Sequence, residues 1–166
     1  FRSDFLRDTS SISIRKGDFL SEAALEAETE RASKSMRDKG YYTFSKNHFF
    51  FEADTLDRPG SALLKMTVNE YTRNESPLLA QPIRKFYFND VTVSYPKSMN
   101  IKEKVLRELT TIVPGEQYSP EIVNNTYTRL SALRMFSSVN IGMTQADTNL
   151  VNCEISLAQS KMQGFK

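Results

Sequence analysis

The chain has one cysteine, one histidine and no tryptophan in 166 residues, and each shortage closes off some chemistry. With Cys153 alone there is no internal disulfide, and on the apolar parity of an expected strand it reads as a small buried thiol. His48 has no second His or Cys to share a metal, and it lies far in sequence from the one thiol that could serve as nucleophile. No GxGxxG, P-loop, HExxH or CxxC motif occurs. No apolar run approaches the roughly 18 residues that read as a membrane-spanning helix. Charge of one sign is also missing: 22 basic and 20 acidic residues leave a net +2, and the basic residues are scattered. That balance gives no footprint for nucleic acid, and Phe49-Phe50-Phe51, with only Lys46 beside it, reads as core strand rather than a base-stacking platform. The paired acids Glu26/Glu28 and Asp54/Asp57 fall on an expected helix face and turn, where carboxylates are normally solvated. The chain starts at Phe1 without Met or a leader-like head, so a trimmed piece of a longer protein is expected.

What is present fits a globular α+β protein, with 39% hydrophobic and 25% charged residues. The most ordered stretch runs from Gly115 to Ile141. Ser119 is placed to cap a helix with its hydroxyl, Pro120 suits the first helical position, and Glu121 suits the positive end of the dipole. Val123, Tyr127, Leu130, Leu133 and Phe136 recur at spacings of three and four, as one apolar stripe. The period then changes to two. Val139, Ile141 and Met143 alternate with polar or small residues, a turn is expected at 145–149, and Val151, Cys153, Ile155 and Leu157 alternate again.

An internal repeat underlies this pattern. Phe5–Ile12 lies over Val105–Ile112, with Leu, Arg and Ile identical. Gly17-Asp18 and Gly115-Glu116 follow, then the caps Ser21 and Ser119. Gly40–Phe44 lies over Met135–Val139, and both hairpins carry Ala-Asp-Thr, at Ala53-Asp54-Thr55 and Ala146-Asp147-Thr148. In the first copy a short helix near Ser3–Ser10 precedes a long one, Ser21–Lys39, with a thin stripe of Leu25, Ala32 and Met36. Glu30 and Lys34 are spaced as an i,i+4 pair. Gly40 is placed as a left-handed stop. A strand near Asn47–Ala53, a turn signal at 57–60 and a return strand through Leu64, Met66 and Val68 follow. The second copy opens with a strand, Phe86–Tyr95, in which Phe86 and Phe88 oppose the parity of Val91 and Val93. That requires a bulge near Asn89-Asp90 or exposed phenylalanines. A helix over Ile101–Thr110 completes it. The domains are therefore expected at 1–72 and 83–159, with a Pro-bounded linker at 73–82 and a following linker from 160 to 166.

The order strand–helix–helix–strand–strand, carried by Leu106, Ile112, Gly115, Ser119, Leu130, Leu133, Phe136 and Val139, resembles the polypeptide-transport-associated (POTRA) domain of BamA- and TamA-type outer-membrane proteins. Leu6, Gly17, Ser21, Leu25, Gly40, Tyr41 and Phe44 carry the likeness in the first copy, where the opening strand is absent or cut short. Met135 departs from the pattern, which usually has a small residue there. The resemblance implies two tandem domains, each a three-stranded mixed sheet with two helices on one face. It implies no catalysis and no cofactor or metal, a periplasmic location in a Gram-negative outer-membrane protein, and a membrane β-barrel attached outside this stretch. It further implies that the first strand of each hairpin forms a sheet edge for transient pairing with unfolded outer-membrane or secreted polypeptides. Those edges would be Asn47, His48, Phe49, Phe50 and Phe51, and Val139, Asn140, Ile141, Gly142, Met143 and Thr144. The alternative is a spacer or docking arm for accessory assembly proteins, reached through helix-face residues such as Asn124 and Arg129.

Overall fold

The computed structural model describes residues 1–55 and 59–160. Asp57 and Arg58 of the turn signal, and the expected following linker beyond Ser160, lie outside the described residues. The chain divides into two compact units, Phe1–Arg84 and Lys85–Lys166.

Unit 1 contains helices α1 (Arg2–Asp8) and α2 (Glu22–Asp38) and an antiparallel hairpin of β1 (Phe49–Asp54) and β2 (Leu63–Val68). Helix α2 begins as its sequence dictates, with the Ser21 hydroxyl accepting from the Ala24 N–H at 3.2 Å. It stops at Gly40, whose φ of +97° is cheap only without a Cβ. Ala32, Met36, Tyr41, Phe44 and Phe49 form the core, with Phe1, Phe5, Met66 and Val68 packed against it. Most of the rings meet edge to face or tilted, as between Phe44 and Phe49 at 5.5 Å, while Phe1 stacks on Phe5 at 5.6 Å.

The expected apolar stripe is only part of the buried face of α2. Glu28, Thr29 and Ser33 are buried beside Ala32 and Met36. Glu28, read from sequence as a solvated acid, is 1% exposed. Arg31 makes this possible. Its guanidinium lies 2.6 Å from Glu28 Oε1 and 3.0 Å from Asp8 Oδ2, and so ties α2 to α1. Ser13 donates to Glu28 through both its N–H and its hydroxyl, and Ser35 donates to Asp8 at 2.5 Å. Burial alone would push both carboxyls up, but Arg31 and these hydrogen bonds outweigh it and hold both below their ordinary values. The expected Glu30–Lys34 partnership gives way to Glu30–Arg37 at 3.4 Å. Leu6, matched in sequence to the buried Leu106, is 57% exposed, because α1 turns Phe1 and Phe5 toward the core instead.

Unit 2 contains β3 (Tyr87–Ser94), α3 (Glu103–Leu109), α4 (Pro120–Ala132), β4 (Phe136–Asp147) and β5 (Leu150–Gln159). Strand β5 is central, parallel to β3 and antiparallel to β4. Its inward residues Val151, Cys153, Ile155 and Leu157 are all buried, as the alternation predicts. The parity conflict in β3 is resolved by a register shift between Phe88 and Val91. Both phenylalanines are buried, and the Asn152 side chain accepts from the Asn89 amide and the Asp90 N–H at the bulge.

Helix α4 departs from expectation in two ways. Ser119 is the N-cap residue, but its hydroxyl makes no capping bond. Pro120 already removes one of the free N–H groups that a cap would satisfy. The buried residues are Thr126 and Leu130, whereas Tyr127 and Leu133 are 47% and 37% exposed. Thr126 is held inward by bonds to the N–H and hydroxyl of Thr111. Where unit 1 uses Gly40, unit 2 enters its hairpin through Arg134 at φ +53°, one residue before Met135.

Candidate sheet-edge binding site

A strand at the end of a sheet has half its main-chain N–H and C=O groups facing away from its neighbour. Unit 2 has two such strands, and they differ. Along Phe86–Phe88 the outer side of β3 is already taken: Phe88 N–H donates to Glu116 O, Gly115 N–H to Phe88 O, and Tyr118 N–H to Phe86 O, at 2.7–2.9 Å. Among the described residues, the strand paired with β4 is β5, which places β4 at the end of the sheet. Strand β4 runs for 12 residues, twice the expected Val139–Thr144: it starts three residues earlier, at Phe136, and ends three later, leaving Thr148 and Asn149 between the strands.

All six candidate residues of the second copy lie on β4. Val139, Ile141 and Met143 are half-buried, while Asn140, Gly142 and Thr144 are exposed, so the strand has two distinct faces. On the half-buried side a groove of about 420 Å³ lies between β4 and α4, lined by Tyr118, Pro120, Val123, Asn124, Tyr127, Val139, Asn140, Ile141 and Met143. Not one of these side chains carries a charge. Sequence reasoning missed Val123 and Tyr127, assigning them to the helix's core stripe. Asn124 is also placed here, beside Asn140, so it reports on the edge rather than on a separate helix surface.

The first-copy candidates are arranged differently. Asn47 and His48 precede β1, in a short 3-10 turn spanning Lys46–His48. Their carbonyls accept from Arg73 N–H and Asn69 N–H, and the Phe49 carbonyl accepts from the Arg73 side chain at 3.2 Å. His48 is buried and stacked on Phe44 at 5.0 Å. Burial pushes its basicity below the ordinary value, although a hydrogen bond to Ser45 works the other way. Phe49 is fully buried, Phe50 packs edge-on to Tyr71 at 5.4 Å, and Phe51 packs on the core. The three phenylalanines are therefore mainly structural.

Burial pushes the Cys153 thiol up to about 11, so it is protonated at neutral pH. Among the described residues no group of three or more His, Cys, Asp or Glu is placed to hold a metal ion, and no helix is long and apolar enough to cross a membrane.

Solved structures share the fold. The crystal structure of BamA from Haemophilus ducreyi lacking POTRA domains 1–3 matches 89% of this chain with a TM-score of 0.62 at 13% identity. BamA POTRA3–5 from Haemophilus influenzae matches 95% of it with a TM-score of 0.57 at 11% identity. The chain has a POTRA-like fold. It spans 25% of the first of these structures and 55% of the second. No protein-family model and no curated protein sequence matches the chain. At these identities the likeness is one of fold.

Proposed function

We propose that this POTRA-like chain is a polypeptide-binding module in the periplasmic portion of a Gram-negative outer-membrane protein. It would guide unfolded outer-membrane or secreted polypeptides toward a membrane β-barrel attached outside this stretch. An extended client adds to β4 as a further strand, satisfying main-chain groups whatever its side chains. Each such hydrogen bond nets about 1 kcal/mol in water, so capture is weak and reversible, as hand-over requires. Strand β1 offers the same chemistry over a shorter stretch, from Phe50 onward. No catalysis and no cofactor belongs to this reading.

The observation that supports it is the position of the 12-residue β4 at the end of its sheet, in a unit whose opposite edge is occupied along Phe86–Phe88. Photo-cross-linking tests it. A cross-linker at Asn140 in the full-length parent protein is expected to capture unfolded outer-membrane polypeptides, and one at Arg129, exposed on α4, is not. Capture of folded accessory proteins from Arg129, with no client from Asn140, would replace this reading with the docking arm.

A further inference from the structure

Three segments of unit 2 meet around a pocket of about 330 Å³: the stretch after β3 (Ser98, Met99, Asn100), the exit of α4 (Arg134, Met135) and the end of β5 (Gln159). Hydrogen bonds hold the three together. The Ser98 hydroxyl donates to Gln159 Oε1 at 2.9 Å, and the Ser160 N–H donates to Met135 O at 3.1 Å. Met99 is buried, while Met135 is 40% exposed. Among the described residues of the lining Arg134 alone is charged, and its guanidinium has no hydrogen-bond or ion-pair partner among the described residues. The same residue sits at φ +53°, in the left-handed region where a side chain is strained. Glycine would make this turn without that cost. What arginine adds here is therefore not a better fold but a cation in the pocket.

We propose that this pocket binds the carboxylate of an Asp or Glu side chain on a polypeptide partner, with an apolar neighbour of that acid covering Met135. A guanidinium presents a planar fork of N–H donors that matches a carboxylate. Two neutral donors stand beside it. The Asn100 amide is exposed, and with Gln159 Oε1 engaged by Ser98 the Gln159 N–H groups are left to donate. A free phosphate would use the same guanidinium but would gain nothing from Met135. Residues 161–166 contain no Asp or Glu, so that stretch does not supply the acid. The pocket is separate from the β4 edge, and the inference does not rest on strand pairing.

Two peptides with acetylated and amidated ends test the proposal, Ala-Leu-Glu-Leu-Ala and its counterpart with Gln in place of Glu. Each is titrated into the isotope-labelled whole chain. The Glu peptide is expected to shift the amides of Met135 and Ser160 and the side-chain N–H of Arg134, and to bind about fivefold tighter than the Gln peptide. Arg134→Gly relieves the backbone, whereas Arg134→Gln keeps the strain and removes the charge. Both are expected to bring the two affinities level. Equal affinities in the unsubstituted chain, or shifts only at other residues, would overturn the carboxylate site. A preference that survives either substitution would remove Arg134 as its source. Inorganic phosphate moving the same signals at concentrations as low as the Glu peptide would make this a general anion site and overturn the polypeptide partner. The β4 amides, read in the same spectra, report on strand pairing and not on this pocket.

Discussion

The two units share a plan but differ at the step from long helix to hairpin. In unit 2 the chain leaves α4 through Arg134 and enters a strand directly at Phe136. In unit 1 it leaves α2 through Gly40, coils through a 3-10 turn at Lys46–His48, and only then becomes strand at Phe49. The aromatic content explains the divergence. Tyr41, Phe44, His48 and Phe49 turn inward to fill a core closed by only two strands, whereas unit 2 fills its core from β5. The buried charges divide in the same way: the buried Asp8 and Glu28 both belong to unit 1. The two units thus share the path of the chain more closely than they share a surface, and the longer end strand belongs to the unit that enters its hairpin directly.

Truncating one core residue in each unit breaks this comparison most severely. Phe49→Ala is expected to cost unit 1 about 4 kcal/mol, and Leu130→Ala to cost unit 2 about 3 kcal/mol. Amide signals followed through a urea titration would show each loss confined to its own unit. Loss of both units in one step from either variant would contradict the division.

Next comes the buried cluster. Arg31→Met leaves Glu28 buried without its guanidinium and Asp8 with the more distant Lys39 at 3.8 Å, and is expected to cost roughly 3 kcal/mol. Lys46→Met, which removes the exposed Lys46–Glu26 pair at 2.7 Å, should change stability little. Similar effects of the two in denaturant melts would mean that the cluster is not the tie between α1 and α2.

Acid sharpens the contrast. Because burial holds the folded-state pKa of His48 below its ordinary 6.5, the unfolded chain takes up that proton first, and stability starts to fall as pH drops below about 6.5. Asp8 and Glu28 are held low in the folded state. Their contribution is therefore present above about pH 4.5 and lost as pH falls through their folded values. Unit 1 is expected to unfold first in an acid titration read by the same amide signals. Unit 2 melting first would reverse the assignment.

The smallest effect concerns the two helix exits. Arg134→Gly is expected to stabilise unit 2 by about 1 kcal/mol, since glycine occupies the left-handed region without a Cβ clash. Gly40→Ala should destabilise unit 1 by about as much. Calorimetry that found both changes neutral would mean that neither exit is strained.

Much of the fold could be read from local pattern. The Gly40 stop, the alternation of β5, the Cys153 burial and the bulge required by Phe88 and Val91 all depend on residues close in sequence. The failures depend on distant ones. Glu28 looks solvated until Asp8 and Ser13 arrive from other segments. The α4 stripe was misplaced because Thr126, polar in sequence, is made buriable by Thr111. The β4 edge was legible as a strand, but its groove was not. Val123 and Tyr127 carry the same three- and four-residue spacing whether they face a core or an opening. Asn47 and His48 look like the start of a strand until Asn69 and Arg73 are seen to hold their carbonyls.

The most direct test of an accepting edge compares one extended peptide with its counterpart N-methylated at alternate amides, each titrated into the isotope-labelled chain. Both have the same side chains, but the second cannot donate a full ladder. The account predicts that the first peptide shifts and protects the amides of β4 and that the second does so far more weakly. Equal binding of the two, or shifts confined to the Arg129 surface of α4, would contradict it.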